Sequence, residues 1–267
     1  METMFKKTIF VVFVGVSGVL WVTSLTAGQT SIIAEIQKLQ PAIVSIKAVN
    51  KELFQAPYQA AALDKASGRI MVMRRLKAAG YNRFGAGVVI HPSGIVVTNA
   101  HVVNNADHIQ VVLHDDTEIP AEVLLVVKNL DIGLIRIPLP YPITPVELAD
   151  SDRVKLRDEV INIGNSQFLK QTFSGGRIKG IGTSRRQFLN GEIRTANLLQ
   201  TTINLYEGDS GGPLFDQAGR LIGMMTAKEV AADHSSFAVP ANLIQRYLSE
   251  YLLKNTRGVV EHHEPAK

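Results

Sequence analysis

A proline-rich connector, Pro138-Leu139-Pro140-Tyr141-Pro142, divides the 267-residue chain into halves that each carry six short candidate strands. Proline has no N–H to give a ladder and fixes its own φ, so such a segment joins a sheet only at an edge and reads as a link between two units. Before it lie Ile43–Val49, Gly85–Ile90, Ile95–Thr98, Ile109–His114, Ile119–Val127 and Ile132–Ile137. After it lie Glu159–Ile163, Thr172–Ile181, Asn197–Thr202, Pro213–Phe215, Leu221–Thr226 and Ser236–Val239. Many short strands broken by turn residues form sandwiches or barrels, and two equal halves predict two antiparallel barrels, at about 42–140 and about 150–240. His91-Pro92-Ser93-Gly94 and Asp216-Gln217-Ala218-Gly219 supply hairpin turns. From Pro240 to about Lys254 the period becomes helical, with Leu243, Ile244, Tyr247, Leu248, Tyr251 and Leu252 on one face that packs against the second barrel.

Hydrophobic residues make up 46% and charged residues 19%, the balance of a folded globular chain. The net charge of +4 is scattered, with no aromatic-interleaved basic stripe, which argues against nucleic acid as a partner. There is no cysteine, so disulfides, a thiolate zinc site, a cysteine nucleophile and a lipidated cysteine are all excluded. Packing alone must hold the core.

Residues 1–28 read as an export segment. Lys6 and Lys7 precede an uncharged stretch from Thr8 to Ala34, most apolar between Ile9 and Leu25 and long enough to span a bilayer as a helix. Basic residues ahead of this stretch predict that the rest of the chain is translocated, so it meets a membrane only through this segment. Ala27 and Gly28 suit a signal-peptidase site, whereas Leu25 does not, so a cleaved signal peptide and a retained anchor both stand. Ser31–Leu39 suits a short helix that Pro41 stops. Lys51–Arg83 fits neither period and reads as a long insertion with a solvated charged face. Residues 255–267 form a polar tail, where adjacent His262 and His263 lack the partners a metal site needs.

The chemistry concentrates in Gly208-Asp209-Ser210-Gly211-Gly212-Pro213-Leu214. An acyl-transfer nucleophile must stand clear of its neighbours and beside N–H groups that hold the developing oxyanion. Flanking glycines permit that turn and the close approach of substrate. The oxyanion hole is accordingly assigned to Gly208, Asp209 and Ser210, with the N–H groups of Gly208 and Ser210 as donors. Serine needs a base. Of seven histidines, His101 alone follows a buried strand, through Asn99-Ala100. Asp131 opens the apolar run Ile132–Ile137, where a carboxylate is costly without a partner, and His101 is the partner assigned to it. Asp115 and Asp116 compete for that role but fall in a turn.

These residues resemble the trypsin-like serine peptidases, and locally the HtrA (DegP-like) branch. Gly85-Ala86-Gly87-Val88-Val89-Ile90, Val97-Thr98-Asn99-Ala100-His101-Val102-Val103, Asp131-Ile132-Gly133-Leu134-Ile135 and Ser236-Phe237-Ala238-Val239-Pro240 match its pattern in order, over about Ala42 to Leu252. Ile163-Gly164-Asn165 and Gln200-Thr201-Thr202 correspond to segments bordering its active site. The resemblance implies an all-β fold, a chymotrypsin-like double β-barrel with a C-terminal helix, in a protease domain at 29–254. It implies a Ser210–His101–Asp131 triad working without cofactor or metal. It further implies periplasmic or other extracytoplasmic location, unfolded protein or peptide substrates, and a homotrimer.

The sequence also departs from that family. The residues after Pro240 are too few for a PDZ domain, so regulation through one is not expected. Asp209 stands where the family has Asn and is expected to accept local hydrogen bonds or pair with a basic group. Ser166 follows Asn165 where the family has Pro. By resemblance the substrate pocket is lined by Asn204, Met224, Met225 and Thr226. With Asn204 in place of a carboxylate, basic side chains are disfavoured, and the methionines suggest an adaptable wall for small or medium aliphatic residues. A catalytically silent chaperone-like or binding module on the same fold, and an esterase, are the alternatives.

Overall fold

The computed structural model describes residues 9–14, 20–25, 38–51, 80–164, 172–187, 193–206, 208–228 and 235–260. Near the N-terminus, β1 (Ile9–Val14) and β2 (Leu20–Leu25) pair antiparallel, from Ile9↔Leu25 to Val14↔Leu20. The described parts of the apolar run are thus paired strands, in keeping with its β-branched and aromatic composition. Among the described residues no helix is long and apolar enough to cross a membrane. The helix expected at Ser31–Leu39 and the 51–83 insertion lie almost wholly outside the described residues, as do residues 261–267 of the tail.

The first half contains β3 (Ile43–Val49), β4 (Arg83–His91), β5 (Ile95–Thr98), β6 (His108–Val112), β7 (Glu118–Pro120), β8 (Glu122–Val127) and β9 (Ile132–Arg136), with one helical turn, α1 (Ala100–Val103), between β5 and β6. The strand order is β7-β6-β3-β4-β5-β9-β8. Its two edge strands are separated in sequence by Ala121 alone, so the sheet must curl to bring the end of β7 to the start of β8. The single strand expected at Ile119–Val127 is thus two. Pro120, without an N–H, ends β7, and Ala121 donates to the Ile109 carbonyl at 3.1 Å.

The second half is a closed barrel of β10 (Glu159–Gly164), β11 (Thr172–Gln187), β12 (Ile193–Thr201), β13 (Pro213–Phe215), β14 (Leu221–Lys228) and β15 (Ser236–Pro240), ordered β10-β11-β12-β15-β14-β13. Then comes α2 (Ala241–Val260). A closed barrel, a curled sheet and a C-terminal helix make the chymotrypsin-like double barrel that the sequence predicts.

Two apolar clusters form the core, and one of them joins the halves. One fills the second barrel with Val160, Ile178, Leu199, Leu214, Ile222 and Met225. The other runs from Ile46, Val88, Val97 and Leu134 of the first sheet through Phe215, Met224 and Phe237 to Ile244 and Leu248 of α2. Each such side chain contributes about 1.5–3 kcal/mol on burial, which is how a chain without disulfides stays folded. The connector ties both halves: Val146 donates to the Val89 carbonyl at 2.9 Å, and Leu221 to that of Glu147 at 2.8 Å.

Candidate active site

Asp131 follows a 3-10 turn at Lys128–Leu130 and adopts a left-handed conformation, φ 57° and ψ 38°. That costs a non-glycine residue about 1–2 kcal/mol and persists where neighbours enforce it. Here its carbonyl accepts hydrogen bonds from the Ala100 N–H and from Asn99 Nδ2, each at 3.1 Å. The turn aims the carboxylate at α1. Asp131 Oδ1 accepts from the His101 backbone N–H at 3.0 Å, and Oδ2 lies 2.8 Å from His101 Nδ1. The carboxylate side chain is 3% exposed and the imidazole 47%. A buried carboxylate against Nδ1 calls for a proton on that nitrogen, which leaves Nε2 as the acceptor.

Thr226, on β14 of the other barrel, donates from Oγ1 to Asp131 Oδ2 at 2.5 Å. Its hydroxyl therefore holds the carboxylate rather than facing a substrate pocket, and nothing in Met-Met-Thr-Ala marks that difference. Met224 and Met225 are fully buried, in the two separate clusters, and offer no surface to an incoming side chain. Successive strand residues face opposite sides, which sends the two methionines into different clusters. Asn204 is half-buried between the buried Ile203 and Leu205.

The Gly208–Gly212 turn docks on β4 of the first sheet. Ala86 donates its N–H to the Ser210 carbonyl at 2.7 Å. Gly211 has φ 86°, and a Cβ there would stand 2.1 Å from the Ala86 carbonyl oxygen. A Cβ on Gly85 would meet both the Ser210 carbonyl, at 2.7 Å, and Val102 of α1, at 2.8 Å. The serine turn and the histidine turn thus flank the same stretch of β4. The small residues Gly85-Ala86-Gly87 inside an apolar strand were the available signal of that approach.

Within the serine turn the N–H groups divide. Asp209 donates to the Tyr206 carbonyl at 3.1 Å, Gly211 to Met225 and Gly212 to Asp209, both at 2.9 Å. Among the described residues those of Gly208 and Ser210 have no acceptor. The assignment of Asp209 to the oxyanion hole is therefore corrected, since its N–H is committed elsewhere. Its side chain is buried and accepts from the Tyr206 N–H at 2.9 Å, the local role expected of it. A Cβ on Gly164 would be 2.0 Å from Asp209 Oδ1, so that glycine makes room for the carboxylate.

A family model described as the trypsin-like peptidase domain matches residues 85–224, a little over half of the chain. The chain belongs to the trypsin-like peptidase family. The relatives it resembles are serine proteases named DegP, DegQ and MamE. The peptidase domain is 37% identical over 171 residues to the periplasmic serine endoprotease DegP of Salmonella typhimurium, covering 62% of this chain and 35% of that one. It is 35% identical over 170 residues to the magnetosome formation protease MamE of Paramagnetospirillum magneticum, covering 61% and 23%. A probable periplasmic serine protease of Haemophilus influenzae, described as do/HhoA-like, is 29% identical over 247 residues, covering 86% and 51%. The matched part is at most about half the length of these relatives.

Proposed function

We propose that the chain is a serine endopeptidase that hydrolyses peptide bonds in exported, unfolded or damaged proteins. The observation that carries this reading is the buried Asp131 carboxylate fixing a half-exposed His101 beside a serine turn whose Gly208 and Ser210 N–H groups meet no acceptor among the described residues. Ser210 Oγ attacks the scissile carbonyl while His101 Nε2 takes its proton. Asp131 stabilises the imidazolium, and the Gly208 and Ser210 N–H groups receive the oxyanion. The tetrahedral species then collapses, His101 gives its proton to the leaving amine, and water reverses the sequence to free the acid. Casein and a p-nitrophenyl ester separate this from the rival readings. The endopeptidase degrades casein, an esterase cleaves the ester alone, and a silent binding module cleaves neither.

Thr226 acts here as a positioning residue. Thr226→Val keeps the shape but takes one donor from Asp131. Hydrogen bonds to charged groups contribute about 1.5–3 kcal/mol, so kcat falls by about ten- to a hundredfold. Thr226→Ser restores most of it. Unchanged kcat in Thr226→Val would remove this role.

The relatives named periplasmic support export, and the basic residues before the apolar run set the direction. A reporter fused after Lys254 is expected to be active only beyond the membrane. Cytoplasmic reporter activity would refute export, and the mass of the mature N-terminus distinguishes cleavage near Ala27 from a retained anchor.

A further inference from the structure

Arg83 opens β4, three residues before Ala86, whose N–H holds the Ser210 carbonyl. Its guanidinium is half-buried and donates to the carbonyl of Asn104, the residue that ends α1. Asn104 is three residues beyond His101, a rise of about 4.5 Å on a helical turn. A cation therefore sits beside the turn that carries the imidazole. Among the described residues no carboxylate pairs with it, and its hydrogen bond to a neutral carbonyl leaves most of the guanidinium fork unused. Burial without a counter-ion lowers its pKa from the ordinary arginine value.

Its position fixes which part of a substrate it meets. On the peptidase reading, on which this inference rests, the leaving amine takes its proton from His101. The residues after the scissile bond then pass over α1 and the start of β4. Three residues along β4, from Ala86 back to Arg83, span about 10 Å, and an extended peptide advances about 3.3 Å per residue. We propose that Arg83 is a specificity-determining residue that recognises a carboxylate two or three positions after the scissile bond, carried by an acidic side chain or by the peptide's own C-terminus. An incoming carboxylate would give this half-buried cation the charged partner it lacks, in the bidentate geometry that suits arginine.

The test uses quenched peptides identical up to the scissile bond. One set carries Asp, Asn or Lys at the second and third positions after it, with an amidated end. A second set is neutral and ends there as a free acid or an amide. Cleavage is measured with the active protein, and binding by fluorescence anisotropy with Ser210→Ala. The full chain is expected to favour the carboxylate over its amide counterpart about tenfold in kcat/KM, or about 1.4 kcal/mol. Arg83→Gln should bring that ratio near one, Arg83→Lys should keep part of it, and Arg83→Glu should turn it toward lysine. The two sets show whether a side chain or a chain end is read. An undiminished preference in folded Arg83→Gln, or equal cleavage of acidic and amide peptides by the unaltered protein, overturns the inference while leaving the peptidase reading intact. Arg83-dependent binding of acidic peptides without any cleavage supports the subsite and removes the peptidase reading instead.

Discussion

Replacing Ser210 with alanine is expected to lower kcat by about 10⁶ while leaving the fold intact. Main-chain atoms hold the turn: the Ser210 carbonyl accepts from Ala86, and Gly211 and Gly212 donate to Met225 and Asp209. No hydrogen bond involves the Ser210 hydroxyl among the described residues. Ser210 is also not among the residues with positive φ, so alanine fits without strain. What remains is a binding cleft with oxyanion donors but no nucleophile, still faster than water alone by a factor of about 10³–10⁴. Steady-state rates on one peptide, with circular dichroism as the check on folding, measure this. Near-normal turnover in carefully purified Ser210→Ala would exclude Ser210 as nucleophile.

Asp131→Asn is expected to cost about 10⁴ in kcat near neutral pH, as the same substitution does in a chymotrypsin-type triad. Oδ1 faces the His101 backbone N–H at 3.0 Å, where an amide NH₂ would set donor against donor. The amide therefore turns its NH₂ to the Oδ2 side, toward His101 Nδ1 and Thr226 Oγ1. The threonine hydroxyl can rotate to accept. The imidazole answers by accepting at Nδ1, which moves its proton to Nε2 and leaves no base facing Ser210. Asp115→Asn and Asp116→Asn lie in a surface turn, where Asp115 accepts from the Thr117 N–H at 3.0 Å, and are expected to change kcat by less than about tenfold. Full activity in Asp131→Asn together with loss in either turn variant would reassign the carboxylate.

The strands were legible wherever burial alternates along them or both faces are covered. Ile43–Val49, Ile95–Thr98 and Pro213–Phe215 are strands with those very limits. β11 was expected to stop at Ile181 because Thr183-Ser184-Arg185-Arg186-Gln187 carries no apolar pattern, yet its ladder with β12 continues to Gln187↔Ile193. Backbone pairing in a two-stranded ribbon does not require a buried face, so hydrophobic periodicity underestimates its length. α2 likewise passes Lys254 and runs to Val260, beyond the apolar face that revealed it.

The site was legible where isolation would be costly. A carboxylate opening an apolar strand demands a partner, and His101 Nδ1 lies 2.8 Å from it. Thr226 and Arg83 could not be read in the same way. A hydroxyl within a strand is satisfied in many environments, and an arginine at a strand's start is ordinary. Their significance comes from the packing of one barrel against the other and of α1 against β4.

A mechanism-based label tests the central claim most directly. A fluorophosphonate, which is attacked only by an activated hydroxyl, should form one adduct per chain, mapped by peptide mass spectrometry to the segment containing Ser210. Labelling should be slowed in Asp131→Asn and abolished in Ser210→Ala. An adduct on another serine, or labelling of Ser210→Ala as fast as the unaltered protein, would contradict a Ser210–His101–Asp131 peptidase.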